Sequence, residues 1–372
     1  MPRRKWIVAV GIFIVSVVGA AAAAEPPAIF EIRIAGLRVA EIAPDEQQVA
    51  TLAFQIAKPG TVPVEIQIWD LRKRTLVRAG RFEVTISSMV LEDSQVQYST
   101  DGLLLAVYAG GGTVHVFRSS DLQELIQIPL ELSSAHLSGF EISPSSHILA
   151  VRRSFDRGGD VRIYDLDSGK QLRRWSIREG FLYQVYGVFG VAWSGEGKLL
   201  AVTAPNDRPF TRFAGTIYVF DPDSDEPVNR FQVRFPPGSL AFGSNDKLYV
   251  SSMASGGYFA HWTTDLSIFD AKTGKQVGKI PAGKVGIRRT IAVSGNKRIL
   301  LAYADREKTT FEGFEDTLKV SDAQWQIVDV TAGRAIFTIP ATEYADECSL
   351  STSGRLLLNV GTGKLRIFSI PT

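Results

Sequence analysis

The chain has 372 residues, 45% of them hydrophobic, with 41 basic and 39 acidic side chains, four histidines and one cysteine. That balance excludes a disulfide-stapled miniprotein and a chain too polar to fold, and it gives no cationic excess of the kind a nucleic-acid binder carries.

Residues 2–24 divide into a basic start (Arg3, Arg4, Lys5), an apolar run from Trp6 to Val18 and a small-residue tail ending at Ala24, ahead of Glu25-Pro26-Pro27. Three parts in this order read as a secretory signal peptide over 1–24, cleaved after Ala24. An uncleaved anchor is the alternative, because Trp6 to Ala24 approaches the length of a membrane-spanning helix. The leader holds three of the 41 basic residues and none of the 39 acidic ones, leaving 38 against 39. The mature chain is therefore near neutral, and the expected location is exported, periplasmic or extracellular. Cys348 has no second cysteine to pair with in an oxidising compartment and is expected as a buried apolar residue on a strand.

After the leader, Phe30, Ile32 and Ile34 alternate with Glu31 and Arg33, as a half-buried strand does. From about residue 38 a unit of about 50 residues then recurs. Each copy opens with a short apolar strand, a polar turn and a second apolar strand. Val96-Gln-Tyr-Ser99 leads through Thr-Asp-Gly102 into Leu103–Val107, and Phe140–Ser143 leads through Pro-Ser-Ser146 into Ile148–Val151. Val191–Ser194 with Leu199–Val202, Leu240–Gly243 with Leu248–Val250, Ile291–Ser294 with Ile299–Ala302, and Cys348–Ser351 with Leu356–Val360 follow the same plan. A third strand ends in an aromatic or apolar residue followed most often by aspartate, as in Trp69-Asp70, Tyr164-Asp165, Phe220-Asp221, Phe269-Asp270 and Val328-Asp329. Turns such as Asp167-Ser-Gly169-Lys170 and Lys272-Thr-Gly274-Lys275 then lead into a fourth strand, Gln171–Trp175 or Gln276–Ile280.

Repeated four-stranded units with almost no helical pattern predict an all-β fold, a seven-bladed β-propeller of four antiparallel strands per blade over residues 25–372. The last copy, ending at Leu365-Arg-Ile-Phe368, lacks a fourth strand. Residues 29–34 are expected to supply it, antiparallel to 365–368, so that the last blade is completed by an N-terminal strand and no edge is left open.

With these motifs the chain resembles the tryptophan-aspartate (WD) repeat propellers and their bacterial exported relatives, and is similar in fold to the propeller subunits of quinoprotein amine dehydrogenases. Only Trp69-Asp70 preserves the name-giving dipeptide, and no Gly-His pair opens the blades, so no functional residue is carried over.

The four histidines, His115, His136, His147 and His261, show no metal-ligand spacing, and no nucleophile elbow, phosphate loop or calcium loop appears. Most carboxylates recur in the blade-closing turns, where aspartate bonds its own backbone. Asp346 and Glu347, expected near the channel mouth, are one acidic pair and do not make a metal site. No catalytic residue, metal ligand or cofactor is assigned. The asymmetry lies in the loops between second and third strands. Blades 2 and 7 keep them short, whereas blade 4 inserts Pro205–Phe213 with Arg208, Phe210 and Arg212, blade 5 inserts Ser255–Trp262 with Tyr258 and Trp262, and blade 6 inserts Arg306–Asp316. The connection entering blade 4 adds Phe181, Tyr183, Tyr186 and Phe189. Long loops on a rigid ring, rich in aromatics and arginine, point to an exported, non-enzymatic scaffold that binds a protein or peptide through Arg208, Phe210, Arg212, Tyr258 and Trp262. No nucleic-acid partner is expected, and no membrane contact after the leader is removed. A lactonase-like hydrolase, a quinoprotein-type enzyme subunit and a cell-wall glycan binder are the alternatives.

Overall fold

The computed structural model describes residues 26–55, 60–86, 94–130, 136–155, 158–177, 190–205, 215–233, 237–243, 246–252, 266–280, 292–293, 298–306, 320–329, 334–340, 347–361 and 363–371. The first strand, β1 (Phe30–Arg33), stands apart from those that follow it. Blade 1 contains β2 (Leu37–Ile42), β3 (Gln48–Ala53), β4 (Gly60–Asp70) and β5 (Thr75–Ile86). Blade 2 contains β6 (Gln95–Tyr98), β7 (Leu104–Tyr108), β8 (Thr113–Arg118) and β9 (Glu124–Pro129), and blade 3 contains β10 (His136–Ile142), β11 (Ile148–Phe155), β12 (Gly158–Asp165) and β13 (Gln171–Ile177). Blade 4 contains β14 (Gly190–Trp193), β15 (Leu200–Pro205), β16 (Gly215–Phe220) and β17 (Pro227–Val233). Blade 5 contains β18 (Pro237–Phe242), β19 (Lys247–Ser252), β20 (Leu266–Asp270) and β21 (Gln276–Ile280), and blade 6 contains β22 (Ala292–Val293), β23 (Arg298–Arg306), β24 (Val320–Asp329) and β25 (Arg334–Pro340). Blade 7 has β26 (Glu347–Leu350), β27 (Leu356–Gly361) and β28 (Lys364–Ser369), with β1 as its outer strand. Each blade is a four-stranded sheet, and the innermost strands succeed one another around the ring until β26 reaches β22 and blade 7 meets blade 1. The chain is a seven-bladed β-propeller.

The closing strand is in the expected register, with Phe30 opposite Ile367 and Ile32 opposite Leu365. Backbone bonds extend the pairing at both ends, from Ile29 N to Ile367 O at 2.8 Å and from Ile34 N to Gly363 O at 2.9 Å. Phe30 and Ile34 are buried in one cluster with Leu37, Val49, Leu358 and Ile367, so this strand joins the first and last blades through side chains as well.

Position within a blade decides each strand's sequence. Middle strands lie between two neighbouring blades, so both faces are covered and the run is continuously apolar, as in Leu104-Leu-Ala-Val-Tyr108, all buried. Outer strands meet solvent and alternate, as in β13, whose Trp175 and Ile177 are buried between exposed residues. In the six consecutively formed blades the outer strand carries a β-bulge at its second or third residue, where Val77, Leu125, Leu172, Val228, Val277 and Ile336 drop out of the ladder. A bulge twists an outer edge away from the flat form that another strand could pair with.

The turns also tie blades together. Asp165 Oδ1 accepts from Ser168 N at 2.7 Å and Asp270 Oδ1 from Thr273 N at 2.8 Å, while Gly169 and Gly274 take φ of 69° and 68°. A Cβ on these glycines would lie 2.8 Å from Ile126 and 2.7 Å from Phe231, each on the preceding blade, so the glycine serves both the turn and the close approach. Outer strands return the contact: Arg78 donates to Ser119 O at 2.9 Å, Arg173 to Pro222 O at 2.7 Å, and Asn229 to Ala271 O at 2.9 Å.

Candidate functional site

The innermost strands surround a channel cavity of about 730 Å³. Their channel-facing backbone edge has no fifth strand to pair with, and side chains from the preceding blade take over that role on one side of the ring. Gln95 bonds Phe140 through both halves of its amide, donating to the carbonyl at 2.6 Å and accepting from the N–H at 2.9 Å. Gln97 accepts from Ile142 N at 3.0 Å, and the carboxyl of Glu141 accepts from the Trp193 backbone N–H. Glu41 occupies the same place in blade 1. In blades 4, 5 and 6 this place falls to Ala192, Ala241 and Ala292, which have no group to offer. At this position the channel wall therefore carries an amide or carboxyl on blades 1 to 3 and only a methyl group on blades 4 and 5.

Desolvation inside the ring pushes the Glu41 carboxyl up to about 8. It does the same for Glu141, also to about 8, against the opposing pull of the Trp193 N–H and the Arg152 charge. Arg152 reaches the channel from the second strand because Gly139, at φ 130°, leaves it room: a Cβ there would stand 2.9 Å from its Nη2. Among the described residues no three His, Cys, Asp or Glu side chains gather closely enough to hold a metal ion. Glu347 is the first residue of β26, not a residue before it, and Asp346 lies outside the described residues.

Other polar clusters hold blades together. At the interface of blades 2 and 3, buried Asp160 receives Arg153 at 2.7 and 2.9 Å and Arg174 at 2.8 Å, and Arg153 also donates to Leu130 O at 2.6 Å. His115 meets Glu124 at 2.5 Å under the ring of Phe82. His147 stands between Asp101 of blade 2 and Asp167 of its own blade, 2.9 Å from each. Cys348 is buried as expected, and its Sγ lies 3.2 Å from Asn359 Nδ2, whose carbonyl side accepts from Arg366 at 2.6 Å. The indole N–H of Trp69, in the single Trp-Asp pair, has no hydrogen-bond partner among the described residues.

Arg208, Phe210, Arg212, Tyr258 and Trp262 lie outside the described residues, as do Phe181, Tyr183, Tyr186, Phe189 and His261. The stems of their loops are described. β15 stops at Pro205 and β16 resumes at Gly215, β19 stops at Ser252 and β20 resumes at Leu266, and β23 stops at Arg306 and β24 resumes at Val320. Strands alternate in direction within every blade, so these six strand ends share one face with the Gly110–Gly112 turn, and blades 4, 5 and 6 are consecutive neighbours. The glutamine and glutamate bonds between neighbouring innermost strands were missed in the sequence. Their signal is an amide or carboxyl two or four residues before the serine of the first turn, as in Gln95-Val-Gln97-Tyr-Ser99 and Glu141-Ile-Ser143.

No family model matches the chain, and no curated protein matches it. Among solved structures, the beta-propeller domain of Cps50 (Swd1) from Myceliophteria thermophila is similar, with a TM-score of 0.62, 13% identity, and coverage of 92% of this chain and 99% of that one. At that identity the likeness is one of fold.

Proposed function

We propose that the chain is an exported, non-enzymatic propeller that binds a protein or peptide partner with the loops of blades 4 to 6. The observation that carries this reading is that the stems of the long insertions open on one face of neighbouring blades, held by a ring whose other turns are tied into their own backbone. Propellers of this kind commonly serve as protein-binding scaffolds, and the insertions hold the aromatic and arginine types enriched at binding hot spots. Aspartates engaged in their own turns are poor candidates for catalysis, which supports the non-enzymatic part. The three-part leader supports export, and sequencing the mature N-terminus is expected to start at Glu25.

The partner, captured by cross-linking in the native cell and then purified, provides the decisive measurement. Replacing Trp262 or Phe210 with alanine is expected to weaken its binding by about 2 kcal/mol or more while leaving the melting temperature nearly unchanged. Wild-type affinity in both variants would refute the scaffold reading.

A further inference from the structure

We propose that the turn-side half of the channel is a receptor for the free amino terminus of a peptide, with Glu41 and Ser349 accepting from its ammonium group and Gln97 donating to its first carbonyl. This site lies away from the long insertions and goes beyond the scaffold reading.

Three equivalent positions on consecutive blades make the site. Ser349, Glu41 and Gln97 each stand two residues before the first turn of blades 7, 1 and 2, and all three line the channel cavity of about 730 Å³. That volume is within the usual range for ligand pockets. Across the ring, the same position on blade 5 is Ala241, whose methyl group leaves the far side of the cavity open.

Glu41 differs from its equivalents in being unspent. On the next two blades the matching side chain is committed to the neighbouring backbone: Gln97 accepts from Ile142 N at 3.0 Å, and Glu141 accepts from Trp193 N and faces the Arg152 charge. Among the described residues no such bond and no neighbouring charge acts on the Glu41 carboxyl, and burial alone sets its behaviour. A carboxyl taken out of water without a counter-charge is costly to ionise, and a guest that brings its own positive charge removes that cost. The Ser349 hydroxyl is likewise without a partner among the described residues, and Gln97 uses only its amide oxygen, which leaves Nε2 to donate.

These groups select the guest. Two acceptors beside one amide donor complement an ammonium group with a carbonyl close behind it, which is the arrangement at a peptide amino terminus. A lysine side chain brings the ammonium group without that carbonyl. Access is from the turn face, because Pro44, Thr100, Pro144 and Thr352, in the first turns of four blades, also line the cavity, and none of them is charged.

Titration calorimetry on the intact protein with Gly-Ala-Ala-amide, its N-acetylated form and n-butylamine tests the assignment. The free tripeptide is expected to bind about tenfold or more tightly than the acetylated form, which lacks the charge, and than n-butylamine, which lacks the carbonyl. Glu41→Gln is expected to lower tripeptide affinity by about tenfold or more while melting at or above wild type. Ser349→Ala is expected to lower it several-fold and covers the case in which the Glu41 variant fails to fold. No binding of the tripeptide, equal binding of the acetylated form or of n-butylamine, or unchanged affinity in a folded Glu41→Gln or in Ser349→Ala overturns the site. Those results leave the scaffold reading standing, whereas wild-type partner affinity in the Trp262 and Phe210 variants would remove the scaffold reading and leave the amino-terminus site intact.

Discussion

His147 sits between two carboxylates on adjacent blades, and its protonation controls how firmly the two are joined. Partial burial alone would lower its pKa, but the hydrogen bonds and charges of Asp101 and Asp167 raise it above the ordinary imidazole value. A raised folded pKa makes its contribution complete below about pH 6.5 and lost as pH climbs through the folded value. Asp101 is displaced the other way: burial opposes ionisation, yet Ser99, the Leu103 N–H and His147 pull it below the usual range, so its share is lost on acidification below about pH 4. Comparing His147→Ala with wild type by thermal melting across pH should therefore show the largest gap between about pH 4 and 6.5, within about 1 kcal/mol because the site is partly exposed. A gap that widened above pH 7 would contradict the clasp. Glu141, like His147, has a raised pKa and so costs stability as pH rises. Folded protein keeps a proton up to about pH 8 that the unfolded chain releases near 4.5, so this group lowers stability progressively over that interval. Glu141→Gln, which reproduces the Gln97 arrangement, is expected to match wild type near pH 4 and melt several degrees higher near pH 8. An equal decline in both proteins would mean that Glu141 ionises normally.

At the level of the strand, almost everything that built the ring was legible. The latch was readable because Phe30, Ile32 and Ile34 alternate and the last repeat lacks a strand, two local facts with one joint solution. Boundaries were less so: β10 starts at His136, where the repeat comparison pointed to Phe140, because its bulge at Leu137/Gly139 hides the pairing from a pattern of period two. The outer bulges escaped for the same reason, since Leu172 looks like any alternating residue until the ladder skips it. Deleting residues 25–35 should lower the melting temperature substantially and promote aggregation, because it strips the cover from Leu365 and Ile367 and exposes the β28 edge. Phe30→Ala alone is expected to cost about 3–5 kcal/mol, as a buried aromatic does. Unchanged melting in the deletion would count decisively against the latch.

Across the whole molecule, the sequence was explicit about architecture and nearly silent about contacts between blades. Repeats announce themselves within one copy, whereas the channel depends on which residues from different copies come to face each other. Ser267 reads as an unremarkable strand residue on its own, and only its place among the equivalent third-strand residues Gln67, His115, Arg162, Tyr218, Gln326, Arg366 shows that blade 5 has the smallest side chain at this position. The same holds for Glu141, whose partner Trp193 belongs to the next repeat. The partner loops differ again, since their composition could be read directly but a variable insertion has no repeat against which to be aligned.

The seventh blade also sets an order in time. Its outer strand precedes every other strand of the ring in chain order and its other three follow the rest, so the blades can stack only as an open arc until β28 meets β1. Pairing so distant in sequence is slow to form, and until it does the β1 segment waits without a partner. A chain lacking β28 would remain a horseshoe with two unpaired ends, which makes the β1–β28 pairing the closing step for the whole ring.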